Sequence, residues 1–308
     1  MLIGAEIAES NLRIFRKDKY MKKIGIMIML LATSLMFAED LKIGSFNILG
    51  TYPENAEFSD ERAKFAADLV EYRDFDVVGL QEAQLWQVDA MLKSGTFEKS
   101  GLTVSGEVQN GKNWWGNIII YKKKKFELVE SGSFYLTDTP DQLSKPDKWG
   151  EKQYRNCNWV KLRIKKSGKE FFFFNTHFGL TPTSRVNMAK VFVAQIQKIA
   201  GDNIFFCSGD FNTVATEKAT LDALLGSKYL FDSWKISKLA PYGPKGSFVC
   251  MVYNRRINGS NEVDNPWRKL DYLFVSKGVK VLKCAVISDN VGGAYPSDHL
   301  PLEAYVKF

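Results

Sequence analysis

Phe171-Phe172-Phe173-Phe174-Asn175-Thr176-His177-Phe178 reads as a strand that is apolar on both faces and polar at its end. Successive strand side chains point to opposite faces, so four phenylalanines in a row need cover on each side. The strand then delivers Asn175 and His177 at its carboxyl end, where layered α/β enzymes set their reactive groups. Histidine exchanges its proton most readily near neutral pH, and the chain has two. The other, His299, lies in Pro296-Ser297-Asp298-His299-Leu300-Pro301-Leu302. Between them, Ile204-Phe205-Phe206-Cys207-Ser208-Gly209-Asp210-Phe211-Asn212 repeats the design. Two ordinary histidines are the plain alternative. Both standing beside acids or amides at strand ends favours an enzyme, and specifically a hydrolase.

Outward from this strand the pattern recurs. Strands are expected at Leu41–Asn47, Asp76–Gln81, Asn117–Lys122, Glu127–Leu136, Asn158–Ile164, Glu170–Phe178, Asn203–Phe211, Leu270–Val275, Val279–Ile287 and Leu300–Phe308. Helices are expected at Phe58–Tyr72, Leu85–Leu92, Ser184–Ile199 and Glu217–Leu225, with Val186, Ala189, Val193, Ile196 and Ala200 facing a sheet. Some strands alternate with helices and others follow directly as hairpins. Sheets packed together with helices outside, in one domain, satisfy both. Lys238–Arg268 is the longest aperiodic stretch, and a loop of that length is expected to flank the substrate.

Composition, at 45% hydrophobic and 25% charged, excludes a disordered chain. Formal charge is +7; Met1–Ala38 holds six basic and three acidic residues, leaving +4 for the remainder. That bias permits a polyanionic partner without requiring one. Lys22-Lys23 followed by the apolar run Ile24–Ala38 resembles a secretory segment, so export with cleavage near Ala38 is expected, to the periplasm or the exterior. The run is short for a membrane span, so none should remain after processing. The expected division is Met1–Ala38 as upstream extension and signal (about 21–38), then 39–308 as one catalytic domain. Cys157, Cys207, Cys250 and Cys284 lack CxxC spacing, which argues against zinc. Cys207 is expected to pack as a small hydrophobe, and Lys122–Lys125 to form a solvated hairpin turn.

Six polar motifs follow in order: Ser45-Phe46-Asn47, Gly79-Leu80-Gln81-Glu82, Asn175-Thr176-His177, Gly209-Asp210-Phe211-Asn212, Leu270-Asp271-Tyr272 and Ser297-Asp298-His299. The first five follow or close an apolar strand, so their polar ends can converge at one sheet edge. Asn, Glu, Asp and His without cysteine suit a hard, oxygen-preferring cation such as Mg²⁺ or Mn²⁺. Such an ion polarises a phosphoryl oxygen.

This order of motifs resembles the endonuclease/exonuclease/phosphatase superfamily over nearly all of Leu41–Phe308. The resemblance implies a four-layered α/β (α+β) sandwich of two mixed sheets face to face, helices outside, with the active site at one edge. It implies Asn47, Glu82 and Asp298 at the metal, Mg²⁺ with Mn²⁺ as substitute. It implies Asp210 orienting the attacking water, Asn212 and His177 on the phosphate, and His299 paired with Asp271. Either Asp210 or His299 takes the water's proton. Phe134-Tyr135-Leu136-Thr137-Asp138-Thr139-Pro140, then Arg155 and Asn158-Trp159, is similar to a bacterial branch of the group. There Arg155 is a phosphate contact, against the alternative of a surface ion pair. Where secreted deoxyribonucleases of the group place an acid that orients the first histidine, this chain reads Asn113-Trp114-Trp115-Gly116-Asn117. Asn117 either substitutes for it, or His177 is held otherwise.

The expectation is therefore an exported monomeric phosphoesterase, with phosphodiesters, nucleic acid among them, slightly ahead of small phosphate monoesters. A sphingomyelinase-like activity ranks third, and a catalytically inactive binding module is the competing class.

Overall fold

The structure, a computed structural model, describes residues 39–50, 60–106, 116–249, 268–290 and 295–308. Contacts divide the chain into Met1–Glu39 and Asp40–Phe308. The expected leader, Trp114, Trp115, Cys250 and most of Lys238–Arg268 lie outside the described residues.

Described strands are β1 (Asp40–Asn47), β2 (Val77–Ala83), β3 (Leu102–Ser105), β4 (Gly116–Lys122), β5 (Phe126–Tyr135), β6 (Asn156–Ile164), β7 (Glu170–His177), β8 (Phe205–Asp210), β9 (Phe231–Asp232), β10 (Asp271–Val275), β11 (Lys280–Val286) and β12 (Leu302–Lys307). Described helices are α1 (Asp60–Tyr72), α2 (Leu85–Lys93), α3 (Thr96–Ser100), α4 (Pro182–Ala200), α5 (Lys218–Leu225) and α6 (Ser233–Ile236). The strands form two six-stranded sheets, ordered β11-β12-β1-β2-β4-β3 and β5-β6-β7-β8-β10-β9. Each sheet is mixed through one internal parallel pair, β1 with β2 and β7 with β8.

The phenylalanine run shows why the sheets stack. Phe171 and Phe173 enter the core between the sheets with Ile43, Val77, Ile119 and Phe206. Phe172 and Phe174 enter the core that includes Met188 and Phe192 of α4. Outside the first sheet, Val78, Leu80 and Ile118 pack with Ala63, Ala66 and Ala67 of α1. Helices, sheet, sheet, helices is the resulting order. Thr181 caps α4 by accepting from the Ser184 N–H at 3.2 Å, and Pro182 supplies the preset φ of a first turn. The face α4 buries differs at one point from expectation: Val186 is only half-buried, because the longer Met188 and Phe192 fill the sheet contact.

One polar cluster crosses the inter-sheet core. Gln81 Nε2 donates to Ser45 Oγ (3.1 Å) and Asn175 Oδ1 (2.6 Å), and Ser208 Oγ donates to Asn175 Oδ1 (3.0 Å). Asn175 Nδ2 in turn donates to the carbonyls of Leu80 and Ile118, both at 2.8 Å. These buried amide bonds fix the register of one sheet on the other, although Gln81 Oε1 has no hydrogen-bond partner among the described residues. At the opposite strand ends Lys122 and Lys125 both pair with Asp76, at 3.1 and 2.8 Å. Two of the four lysines in the turn are therefore structural. Cys207 is buried and unpaired in the core, as are Cys157 and Cys284. Among the described residues no helix is long and apolar enough to cross a membrane.

Candidate active site

Topology brings the polar tips together. Parallel pairing sets Asn47 beside Gln81, next to Glu82, and His177 beside Asp210. Antiparallel pairing starts β10 where β8 ends, so Asp271 lies opposite Asp210. The Ser297–His299 segment enters β12 beside the end of β1, and Ser297 Oγ donates to the Asn47 carbonyl at 2.6 Å.

Asn47 joins the sheets: its Nδ2 donates to Glu82 Oε1 (3.1 Å) and to Asp210 Oδ2 (3.0 Å). The other Glu82 oxygen accepts the Gly50 N–H at 3.0 Å. Asp210 Oδ1 accepts the Asn212 N–H at 2.9 Å. Asn212 Nδ2 lies 3.0 Å from His177 Nε2 and donates to the Phe178 carbonyl at 2.9 Å. His299 Nδ1 pairs with Asp271 Oδ2 at 2.7 Å, leaving Nε2 at 3.6 Å from Asp210 Oδ2. Ser247 Oγ donates to Asp271 Oδ2 at 2.6 Å and accepts the Asp271 N–H at 3.1 Å. Leu49, Glu82 and Asn212, none of them glycine, hold φ of 54°, 59° and 49°. Each such residue costs about 1–3 kcal/mol and persists only where its surroundings over-determine it.

Burial raises the Glu82, Asp210 and Asp298 carboxyls, Asp210 to about 7. Burial together with the charges of Arg155 and His299 holds His177 well below the usual histidine range. His299 moves the other way: burial opposes its charge, but Asp271 and Asp210 hold its imidazolium well above that range. Ligand atoms of Glu82, His177 and Asp210 lie within 4.8 Å of one another, as do those of Asp210, Asp271 and His299. In the second group the 2.7 Å pair already engages His299 and Asp271. The first group is oxygen-rich, lacks thiolate and carries a buried and a half-buried carboxylate, so it fits a hard divalent ion. Asp298 belongs to neither group, although its charge reaches Glu82.

Arg155 is not in a surface ion pair. It is 4% exposed, its Nη2 donates to Gln153 Oε1 (2.7 Å), and its Nε lies 4.0 Å from Glu151 Oε2 in a buried ion pair. Burial lowers its guanidinium, against the charges of Glu151, Glu82 and Asp210. Glu151 ties this loop to the end of β7, accepting the Leu180 N–H at 2.8 Å. Asn117 does not replace the missing acid: its Nδ2 donates to Asn156 Oδ1 (2.8 Å) and the Asn156 carbonyl (2.9 Å). His177 Nε2 meets Asn212 and lies 3.4 Å from Asp210 Oδ2.

Three participants escaped the motif reading. Ser247 and Glu151 carry no local signal. Arg62 had one, a charge at the helical spacing of the buried Ala66, Leu69 and Val70.

A family profile for the Endonuclease/Exonuclease/phosphatase family matches residues 44–299. No curated protein matches the chain. Among solved structures, a family protein from Bacteroides thetaiotaomicron is 28% identical at TM-score 0.76, covering 88% of this chain and 98% of that one. A mannosyl-6-phosphatase from the same organism is 28% identical at TM-score 0.74, covering 87% and 100%. D. rerio TDP2, complexed with single-strand DNA product, shares the fold at 19% identity and TM-score 0.66, covering 87% and 99%. With the profile spanning both sheets and the polar tips at their shared edge, the chain belongs to the endonuclease/exonuclease/phosphatase family of divalent-metal-dependent phosphoric ester hydrolases.

Proposed function

We propose that this protein is an exported, Mg²⁺-dependent phosphomonoesterase of small phosphorylated substrates, sugar phosphates foremost, acting as a monomer. Arg155 carries the reading. A buried guanidinium that donates to Gln153, pairs with Glu151 and feels the charges of Glu82 and Asp210 suits the terminal oxygens of a phosphoryl dianion. The mannosyl-6-phosphatase, matched over its whole length, supports the same substrate class. Export rests on the Lys22–Ala38 pattern, and Mg²⁺ on the oxygen-rich donor set, with Mn²⁺ as substitute.

Glu82 would be the principal ion ligand, with Asn47 and Asp298 as further ligands. When bound, the ion supplies polarisation of a phosphoryl oxygen. Arg155, His177 and Asn212 hold the remaining oxygens. Asp210 orients a water for in-line attack and takes one of its protons: the water oxygen bonds to phosphorus, the ester P–O bond breaks, and the leaving oxygen takes up a proton from solvent and departs as the alcohol. The His299 imidazolium, kept charged by Asp271, lies beside the charge that develops.

Phosphodiester cleavage comes second, because the mannosyl-6-phosphatase is the more similar of the two named enzymes, at 28% identity against 19% for TDP2. The test is kcat/KM for p-nitrophenyl phosphate and mannose 6-phosphate against bis-p-nitrophenyl phosphate and plasmid DNA, with Mg²⁺ or EDTA. Monoesters should lead by at least about tenfold, roughly 1.4 kcal/mol at the transition state. A lead for diesters, or turnover that survives EDTA, sinks the proposal.

A further inference from the structure

Arg62 is a permanent charge in the interior, 1% exposed in the first described turn of α1. Ala63, Ala66 and Ala67 let α1 lie close on the first sheet, and this brings Arg62 over the carboxyl end of β1. Nη1 donates to the carbonyls of Ile48 (2.6 Å) and Pro296 (3.0 Å), and Nη2 to that of Leu49 (2.6 Å). Ile48 and Leu49 directly follow Asn47, and Pro296 precedes Asp298 by two residues. One side chain therefore clasps the segment leaving β1 to the segment entering β12. A neutral side chain of the same volume would fill the space with less desolvation, so packing alone does not explain a charge here. A lysine offers one compact ammonium, whereas the planar fork reaches two segments at once.

We propose that Arg62 is a positioning residue for the divalent-ion site. Its guanidinium holds the Asn47 and Asp298 segments at their working separation and offsets part of the acid cluster's charge before an ion enters. The inference rests on the ion-site reading given above. Outer partners of this kind set ligand geometry without touching the ion.

The experiment uses the full chain and three variants: Arg62→Lys, Arg62→Met and, as control, Glu82→Gln. Free Mn²⁺ is followed by electron paramagnetic resonance, and thermal unfolding is followed without metal. Arg62→Met should weaken Mn²⁺ binding by about 10- to 100-fold, and Arg62→Lys by less. Turnover of Arg62→Lys should return within a few-fold of the parent's when Mg²⁺ is raised to saturation. Unchanged Mn²⁺ affinity in a folded Arg62 variant, while Glu82→Gln loses binding, overturns the Arg62 assignment alone. A parent chain that binds no Mn²⁺ overturns the ion-site reading and this one with it. Failure of both Arg62 variants to fold also overturns it, because the role is then architectural.

Discussion

At His299 the two ring nitrogens face two different acids, Asp271 at 2.7 Å and Asp210 at 3.6 Å. Asp271→Asn removes the charge that keeps the ring protonated while leaving its volume. We expect kcat to fall by about 10² to 10³-fold, the span of one lost electrostatic stabiliser. The imidazole resonance should also titrate at lower pH. Two histidines make the NMR assignment simple, and an unmoved resonance would remove Asp271 from its role. His177, Asp210 and Asn212 were legible because each follows an apolar strand that ends in polar residues. Ser247 and Glu151 were not, and for Arg62 only its place on a buried helix face was, because their roles come from distant contacts: Arg62 meets Pro296, and Ser247 meets Asp271. No local pattern encodes such a meeting.

Among the elements, the place where β2 crosses β7 and β8 tolerates least. A Cβ on Gly79 would stand 2.1 Å from Ser208 Oγ and 2.4 Å from Asn175 Oδ1. Gly79→Ala must push the sheets apart or break the Gln81–Asn175 bond. A loss of about 3 kcal/mol in denaturant unfolding is expected, at the upper end for overpacking. Turnover should fall with it, since Asn47 and Asp210 span the same interface. A stability within roughly 0.5 kcal/mol of the parent's would mean that the sheets slide freely there. The ten expected strands and four expected helices all have counterparts, since long apolar runs and 3.6-residue spacing survive tertiary context. Among the described residues the additions are α3, β3, β9, α6 and a 3-10 turn at Asp147–Trp149, none longer than five residues, too short for either period to register. Most boundaries differ by one or two residues, where capping and pairing decide the end.

For the molecule as a whole, its buried acids make stability, pH and metal one problem. Asp210 titrates at about 7 when folded against 3.8 when exposed, so between these values the folded chain holds a proton the unfolded chain has released. Stability then falls as pH rises. Raised carboxyls at Glu82 and Asp298 and the raised imidazolium at His299 act in the same direction. Depressed His177 opposes them only below its ordinary value of 6.5. From about pH 6.5 to about pH 8 the metal-free melting temperature should drop, and the rise produced by Mg²⁺ should grow, because ligands bind once deprotonated. Calorimetry with and without EDTA checks both. A flat metal-free profile with a constant Mg²⁺ increment would contradict them.

The bond from Asn47 in one sheet to Asp210 in the other makes the reaction centre indivisible. Neither half of the sandwich owns a complete set of reacting groups. A fragment that keeps one sheet has nothing to catalyse with, and heat should extinguish turnover at the moment the halves part, not before.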